Sequence, residues 1–383
     1  MTADLILLGL SMLTWGFGEG MFYIFEPIYL QQLGANPLQI GYILGALGIA
    51  MAIAHIPAGY MADKIGRRPM LWASWILGAL ATVVMAVAPN LLIFTIGMLL
   101  YGLTAFVVSP LNSYVTTARG KLSVGRAFTL ISAMYSTGAV LGPLVGGWIG
   151  SAQGLRMAYV AASGVFVLST IMVLFLRPQP TEHHDEENPP LNLLANRRYL
   201  GFMSVAFLVM FATYLPQPLT PNFLQNQRGL SIETIGQIGA LNNLGNVLLN
   251  LLLGSLNARL GFLLGQAAVG LFTILMWRGS GLPAYALGYF LLGGYRAARP
   301  LIAAQVRNLV HQAQMGLAYG ITETINTLPQ ILTPPIAGLL YIGDPASVYP
   351  ISLVLIVISI LVSLKFAPQH PPAGEPSVPP IPA

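Results

Sequence analysis

Two glutamates stand in the first apolar stretch of this chain, seven positions apart. Glu19 lies near the middle of the stretch and Glu26 nearer its far end, directly before Pro27. On a helix, this spacing projects both side chains from nearly one face. A carboxylate is costly in an apolar interior and is typically retained there for function, as in proton relays. We therefore predict that Glu19 carries a proton, with Glu26 in a secondary role. The alternative is a structural carboxyl group hydrogen-bonded to a neighbouring helix.

Three more charged residues lie in apolar stretches closer to the C-terminus. Arg296 and Arg299 precede a predicted turn near 311–314, and Glu323 follows it. At about 1.5 Å per helical residue, Arg299 and Glu323 reach nearly equal depth on the two arms of a hairpin. We predict that they pair. The pair is either a permanent salt bridge or one that exchanges partners and links Arg296, Arg299 and Glu323 to proton release.

A polar stripe runs along one of the later apolar stretches. Asn242, Asn246 and Asn250 recur every four residues and so share one helix face. Amides that face lipid would lack partners, so the stripe is predicted to face a neighbouring helix or an aqueous cavity. Aromatic and polar residues of other stretches are predicted to line the same cavity and bind substrate: Trp15, Tyr23, Tyr214, Gln217, Tyr295 and Asn326. Taken singly, each of these also suits a packing or interface position.

The composition requires that these residues be held inside a membrane. The 383 residues are 55% hydrophobic and only 8% charged, whereas a soluble domain carries roughly 25% charged residues. The mean hydropathy is +0.72. Too few charges exist to cover a water-facing surface, so the exterior must face the lipid bilayer. The chain contains no cysteine, which excludes disulfide and thiol chemistry.

About twelve stretches are long enough to cross a bilayer, at roughly 20 residues each. Their predicted bounds are 4–32, 37–62, 69–88, 91–117, 123–152, 154–177, 198–226, 231–258, 260–279, 282–310, 315–343 and 346–366. Most basic residues fall at alternate connections, and the base-rich side of a membrane protein is the cytoplasmic one. We therefore expect a multi-pass protein of the cell (inner) membrane with both termini in the cytoplasm. Because membrane topology accounts for the net charge of +5, no nucleic-acid partner is expected.

The two sets of stretches resemble each other, which predicts two related bundles. Ile40-Gly41 recurs as Ile235-Gly236, and Pro143 of the fifth stretch corresponds to Pro335 of the eleventh. The predicted fold class is all-α, with two pseudo-symmetric six-helix bundles of about twelve transmembrane helices in total. The predicted division is a bundle over 1–177, a polar cytoplasmic linker over 178–197, a second bundle over 198–366 and a disordered proline-rich tail over 367–383.

A charged run closes the second stretch and predicts a tight turn at the membrane surface, since its charges cannot lie in hydrocarbon. The run resembles the loop signature G-x-x-x-D-[RK]-x-G-R-[RK] of major facilitator superfamily transporters. The matching residues are Gly59, Asp63, Lys64, Gly66, Arg67 and Arg68. The resemblance implies that this loop is a gate. In it, Asp63 would sit at the start of the eleventh helix, where the helix dipole favours negative charge. The three bases would complete a charge relay, and the two glycines would permit close approach and the turn.

Glycines at helical spacing in the fifth stretch allow close helix packing, and a proline among them supplies a bend. These residues are Gly138, Gly142, Pro143, Gly146 and Gly147. A tight packing face is the plain interpretation. The pattern G-x-x-x-G-P-x-x-G-G also resembles the antiporter motif of drug–proton exchangers in the same superfamily, which favours export over uptake.

One position departs from that family pattern. Drug–proton exchangers usually carry an arginine in the fourth helix, four positions before a glycine, and here Met98 stands four positions before Gly102. Proton coupling therefore either depends on Glu19, Glu26 or Glu323, or is absent.

The resulting expectation is a secondary active transporter, not an enzyme, that needs no cofactor or metal. It would export a hydrophobic or amphipathic small molecule in exchange for protons, by alternating access and as a monomer. Two alternatives stay open. The asparagine stripe and Met98 suggest a facilitator or symporter of a small polar metabolite. A non-transporting membrane sensor could keep the same fold.

Overall fold

The computed structural model describes residues 2–179, 196–307, 309–310 and 315–366, with side chains described except at 55–65, 109 and 315–317. Within these ranges the chain is helical and contains no strand. The α-helices are α1 Ala3–Phe22, α2 Glu26–Gln32, α3 Pro37–Ile65, α4 Arg67–Val87, α5 Leu91–Leu103, α6 Val108–Ala118, α7 Val124–Gln153, α8 Leu155–Leu174, α9 Arg197–Tyr214, α10 Thr220–Asn226, α11 Ile232–Gly254, α12 Ala258–Arg278, α13 Gly281–Leu291, α14 Gly294–Arg307, α15 Met315–Gly343 and α16 Val348–Phe366.

These helices form twelve spans in two related halves, α1–α8 and α9–α16. Both ends of the described chain, Thr2 and Phe366, lie at one end of the bundle, called here the terminal end. The opposite end, called the distal end, carries the connection between α2 and α3 and its counterpart between α10 and α11. The predicted linker 178–197 falls mostly, and the tail 367–383 wholly, outside the described residues.

Four of the twelve spans are interrupted: the first, fourth, seventh and tenth. The 3₁₀ turn Tyr23–Phe25 separates α1 from α2, and the turn Thr104–Val107 separates α5 from α6. The seventh span breaks between α9 and α10, and the tenth between α13 and α14. Because proline cannot donate a backbone hydrogen bond and fits the first helical turn, α2 and α10 both restart at a proline, Pro27 and Pro221. Each three-helix repeat thus begins with a broken span.

Side-chain caps fix where several helices begin. Asn90 Oδ1 accepts a 3.1 Å hydrogen bond from the backbone N–H of Ile93, and Ser231 Oγ accepts one of 3.2 Å from Thr234. Asn36 and Gln39 exchange side-chain and backbone bonds of 2.9 Å at the start of α3. Each bond satisfies an N–H that has no partner inside its helix. These caps hold the connections short.

By length and hydropathy, seven helical segments of the described chain can cross a membrane alone, or up to eight if the pair Leu91–Val107 and Pro110–Ala118, bent by 44°, counts as one. The other four spans are the seventh, eighth, tenth and eleventh. Their hydropathy is lower because they carry arginine, glutamate and amide side chains that the first half mostly lacks. The outer surface of the protein carries large exposed apolar side chains, such as Trp148 at 62% exposure and Phe175 at 72%.

Glycines bring α7 directly against the backbone of α1. A Cβ added at Gly138 or Gly146 would overlap the carbonyl oxygen of Leu13 or Met21, and one at Gly142 would lie 2.7 Å from Cα of Gly20. Helices this close gain many small dispersion contacts that lipid would not replace. The first and fifth spans therefore form one rigid pair.

The two halves meet chiefly through α3 against α15 and α7 against α11. Near the distal end these pairs are tight, since a Cβ at Gly147 would lie 3.1 Å from Cα of Gly236. Toward the terminal end the same pairs loosen: a Cβ at Gly125 of α7, Gly254 of α11 or Gly320 of α15 would meet no described atom within 4 Å. The space between the halves, called here the cavity, therefore widens toward the terminal end.

Candidate functional site

Glu19 lies near the midpoint of the first span, and its carboxylate Oε2 accepts a 2.7 Å hydrogen bond from the phenol of Tyr135 in α7. The hydroxyl of Tyr101 in α5 lies close to the same carboxylate. Glu19 is partly accessible to water. A hydroxyl donor aimed at a carboxylate stabilises its charge where bulk water is scarce. This carboxylate is thus held in a defined position at the cavity wall.

Small residues around Glu19 make that contact possible. A Cβ at Gly16 would overlap the backbone carbonyl of Tyr135, and one at Gly18 would lie 2.7 Å from the ring of Phe166. A Cβ at Gly20 would lie 2.8 Å from the Pro143 ring. Every second residue around Glu19 therefore has no side chain. This allows α7 and α8 to pack closely enough for the tyrosine to reach the acid.

Arg296 of α14 faces this carboxylate from the other half. Glu19, Tyr23, Tyr135 and Tyr295 are within electrostatic range of its guanidinium. Protein surrounds the arginine densely, yet its side chain is exposed to water. An exposed side chain within range of residues from both halves lines the space between them. The structure therefore brings Glu19 and Arg296 together across the cavity between the halves.

Phenol rings complete the walls beside these charges. Tyr23 is 45% exposed, and the rings of Tyr214 and Tyr295 lie 5.4 Å apart in the second half. The Tyr295 hydroxyl is close to Arg299 and Gln330 but makes no hydrogen bond of good geometry with either. Such rings offer flat apolar faces with polar edges, which suit an amphipathic ligand.

Glu26 is only 3% exposed, at the break between α1 and α2. The described residues give its carboxyl oxygens no hydrogen-bond donor, although Glu19 lies in electrostatic range. At the corresponding position of the seventh span, Thr220 bonds to the hydroxyl of Tyr349 at 3.1 Å. The second half thus satisfies its polar group at this break, and the first half does not.

Trp15 belongs to an aromatic cluster that backs the site. It is 8% exposed, and its ring lies 4.6 Å from Phe166 and 4.9 Å from Trp75. Trp75 is anchored by a 2.9 Å hydrogen bond from its indole N–H to Ser169 Oγ. The structure therefore places Trp15 mainly in packing contacts that hold α1 against α4 and α8.

The asparagine stripe of α11 divides between structural and accessible positions. Asn242 donates a 2.9 Å hydrogen bond to the carbonyl of Tyr289, and its neighbour Asn243 donates one of 2.6 Å to the carbonyl of Ala139 in the other half. Asn246 donates a long 3.4 Å bond to Asn243, and Asn250 is exposed. The stripe therefore joins helices at one end and faces the open cavity at the other.

The expected pair of Arg299 and Glu323 is not formed in this conformation by the described side chains. Arg299 lies beside the Tyr295 hydroxyl instead, and Glu323 is exposed. Asn326, one turn further along α15, is fully buried with both amide atoms unpaired. Gln217 donates a 2.7 Å hydrogen bond to the carbonyl of Thr213. Equal depth on the two arms of the hairpin was thus insufficient to establish a pair between Arg299 and Glu323.

The expected gate loop is only partly visible. The side chains of Gly59, Asp63 and Lys64 lie outside the described set. Gly66 has φ of 93°, a backbone angle that favours glycine, and forms the turn between α3 and α4. Arg67 donates a 2.7 Å hydrogen bond to Thr117 Oγ1, and the Arg68 guanidinium lies 4.0 Å above the ring of Trp72.

Sequence reasoning missed an amide cluster that joins the halves at the distal end, called here the distal clasp. Asn222 donates hydrogen bonds to Gln31 Oε1 at 2.6 Å and to the carbonyl of Pro27 at 2.9 Å, and Asn226 donates to Gln31 at 3.0 Å. The sequence contained a signal for it, because Pro27 and Pro221 mark the starts of the related short helices α2 and α10 that carry these amides. The Tyr135 hydroxyl, which donates to Glu19, was also missed.

In the described part of the chain, no group of three or more acidic, histidine or cysteine side chains could hold a metal ion.

Comparisons with known proteins extend over nearly the whole chain. The family model of the Major Facilitator Superfamily matches residues 8–217 and 202–382. Multidrug resistance protein 2 of Bacillus subtilis (strain 168) is 23% identical over 343 residues, covering 85% of each chain. The class G tetracycline resistance protein of Vibrio anguillarum is 26% identical over 350 residues, covering 86% of this chain and 87% of its own.

Solved structures share the fold at low sequence identity. The nucleoside transporter NupG superposes with a TM-score of 0.78 at 16% identity, over 95% of this chain and 98% of its own. A bacterial homologue of the human lysosomal transporter Spinster, in an inward-facing and occupied conformation, gives a TM-score of 0.75 at 14% identity, over 94% of this chain and 96% of its own.

Proposed function

Because this chain belongs to the Major Facilitator Superfamily, we propose that it exports a hydrophobic or amphipathic small molecule in exchange for protons. The chain is a multi-pass membrane transporter and not an enzyme. Relatives named for multidrug and tetracycline resistance support the direction of transport. The glycine-proline pattern of α7 agrees with it.

The observation that carries the proposal is the Glu19 carboxylate, half-buried near the middle of the first span and held by Tyr135 at 2.7 Å. A carboxyl group at mid-membrane that meets water from one side can take up or release a proton there. Exchange follows if a substrate and a proton cannot both occupy this position. Glu19 is therefore proposed as the site where proton and substrate compete.

Alternating access follows from how the halves touch. Their described contacts include glycine-to-backbone packing and neutral amide bonds, which can separate without leaving a bare charge behind. We place the terminal end in the cytoplasm, at the inner membrane, since most bases lie there. The conformation is then inward-facing, and the distal clasp closes the outer side.

Glu26 is proposed as a secondary proton carrier. Its carboxyl group is almost fully buried and has no hydrogen-bond donor among the described residues, and an ionised carboxylate is unfavourable under those conditions. Separation of the halves near the distal clasp would admit water to it. Its protonation would then follow the conformational cycle, with Glu323, Arg296 and Arg299 as the corresponding charges of the second half.

The gate and the substrate contacts complete the proposal. Asp63 with Lys64, Arg67 and Arg68 would close the inner side in the outward-facing state, and Gly59 and Gly66 would allow that approach. Tyr23, Tyr214, Asn246 and Asn250 are proposed to contact substrate directly from the cavity walls. Trp15, Gln217, Asn242, Tyr295 and Asn326 would act with them from the layer behind. One chain supplies all of these groups, so a monomer suffices.

The alternative of a small polar metabolite has less support. It was based on Met98 and on the stripe of Asn242, Asn246 and Asn250, and the first of these amides donates its N–H to the backbone carbonyl of Tyr289.

Proteoliposomes with an acidic interior test proton coupling, with dansylcadaverine and Nε-dansyl-lysine as fluorescent amphipathic probes. We expect the protein to accumulate probe and to dissipate the pH gradient. Glu19→Gln should abolish gradient-driven accumulation and keep probe-for-probe exchange. The control Glu233→Gln changes an exposed glutamate in the first turn of α11 and should retain both activities. Normal gradient-driven transport by Glu19→Gln would refute the role of Glu19.

A further inference from the structure

Two opposite charges face each other at mid-membrane without closing an ion pair. Glu19 is close to the midpoint of the first span, Ala3–Gln32, and Arg296 close to that of the tenth, Gly281–Arg307. Their charges are within electrostatic range. They form no salt bridge, so the guanidinium nitrogens of Arg296 lie more than 4.0 Å from the carboxylate oxygens of Glu19. The two groups therefore interact without contact, and both side chains are at least partly exposed.

The two charges differ in how far their own surroundings satisfy them. Glu19 accepts a hydrogen bond from Tyr135. Arg296 makes no hydrogen bond with any described residue, although its side chain is exposed to the cavity. A guanidinium offers five N–H donors in a planar fork that matches a carboxylate or a similar oxyanion. At mid-membrane such a group is rare unless it has a partner or a function.

No other described residue can neutralise Arg296 in this conformation. Tyr23, Tyr135 and Tyr295 surround it with phenols, which are neutral at physiological pH. Glu323 is on a neighbouring helix, and no interaction between it and Arg296 is present among the described side chains. The free donors of Arg296 therefore point to a ligand with an acidic group.

We propose that the substrate is amphoteric: an amphipathic molecule whose acidic group binds Arg296 and whose basic group binds Glu19. The inference rests on the proposed function, because it concerns the substrate of the same cavity. An amphoteric molecule supplies a partner to both charges at once, and its apolar part packs on the rings of Tyr23 and Tyr214, with Tyr295 behind Tyr214. A purely cationic molecule would leave the guanidinium unpaired, and a purely anionic one would leave the carboxylate without a cation.

Three matched probes separate these cases. Dansylcadaverine carries a cation, dansyl-aminocaproate an anion and Nε-dansyl-lysine both, on the same fluorophore with linkers of similar length. Their equilibrium binding to protein in lipid nanodiscs is measured by dansyl anisotropy, without any gradient. We expect Nε-dansyl-lysine to bind on the order of ten- to a hundredfold more tightly than either singly charged probe, as for one additional charged hydrogen-bonded contact.

Two variants assign the charges. Arg296→Gln should remove the advantage of Nε-dansyl-lysine over dansylcadaverine and leave the affinity for dansylcadaverine unchanged or higher. Glu19→Gln should remove its advantage over dansyl-aminocaproate. The control Arg278→Gln changes an exposed arginine that lies 4.2 Å above the ring of Trp277 at the end of α12, and it should leave all three affinities unchanged.

The proposal is overturned if dansylcadaverine binds wild type as tightly as Nε-dansyl-lysine, or if Arg296→Gln weakens all three probes equally. Since no gradient is used, these outcomes do not depend on proton coupling. A preserved binding order without gradient-driven transport would refute the proposed function and leave the amphoteric substrate standing.

Discussion

Asn222 of the second half donates a 2.6 Å hydrogen bond to Gln31 of the first, and this uncharged contact joins the halves at the distal end. Asn222 is 1% exposed, so the bond is shielded from competing water. Because no charge is involved, opening this end requires no ion to be stripped of its partner. The distal clasp is therefore a neutral closure, in contrast to the charged loop expected at the terminal end.

Removing this closure should favour the distal-open state. Asn222→Ala removes the donor to both Gln31 and Pro27, which weakens the closed state by about 1–3 kcal/mol, or roughly five- to a hundredfold in population. Spin labels at Gln32→Cys and Gln227→Cys should move apart, as measured by electron paramagnetic resonance. The chain contains no cysteine, so these labels have no background.

A second label pair serves as the control for this motion. Labels at Thr116→Cys in α6 and Ser255→Cys after α11 report on the terminal end and should approach each other in the same variant. A distal distance unchanged by Asn222→Ala would show that the clasp does not hold the halves together.

Tyr135→Phe should reduce transport while the fold is kept. The substitution removes only the hydroxyl that donates to Glu19 at 2.7 Å, a net loss of about 0.5–1.5 kcal/mol. We therefore expect gradient-driven probe transport to fall roughly two- to tenfold, with little change in melting temperature. A matched change at Tyr42, which is exposed on α3, should alter neither. Equal transport by wild type and Tyr135→Phe would contradict the role of this hydrogen bond.

Gly146→Ala should destabilise the protein, since its Cβ would overlap the carbonyl oxygen of Met21 in α1. Overpacking at a tight contact costs typically about 1–3 kcal/mol. Gly164→Ala is the matched control, because a Cβ there meets no described atom within 4 Å. That variant should be equally or more stable, by up to about 1 kcal/mol from helix propensity. Thermal unfolding in detergent compares the two, and equal melting temperatures would argue against close packing of α1 and α7.

Two arginines at the distal end should act as helix caps. Arg156 Nε donates a 3.0 Å hydrogen bond to the carbonyl of Ala86 at the end of α4, and Arg228 donates one of 2.7 Å to the carbonyl of Trp277 at the end of α12. Both interact with the negative end of a helix dipole, an effect worth about 0.3–2 kcal/mol.

Arg156→Gln and Arg228→Gln should therefore each lower the melting temperature by a few degrees, as expected for a loss of about 1 kcal/mol. Arg278→Gln should lower it less, because this arginine is exposed and stacks on Trp277. If all three variants melt like wild type, the capping bonds contribute nothing measurable.

The fold was largely predictable from residue type and spacing. Twelve apolar stretches, a low charge content and the recurrence of Ile40-Gly41 as Ile235-Gly236 predicted paired bundles, because lipid imposes span length and excludes charge. The four interruptions were not predicted. Hydropathy does not separate broken from continuous spans, since the broken first span is strongly apolar and the continuous eighth span is less so. Only the repeated prolines at 27 and 221 carried a signal.

Sequence alone determined that Glu19, Glu26 and Arg296 are ionisable groups within membrane spans, since hydropathy and helical periodicity are local properties. It could not determine which charges meet. Depth along one hairpin suggested Arg299 with Glu323, whereas the structure brings Arg296 toward Glu19 and supplies Tyr135 as the donor. Such partners come from helices far apart in sequence. Glycine contacts and helix breaks set their spacing, and both depend on how the halves pack rather than on the order of residues along the chain.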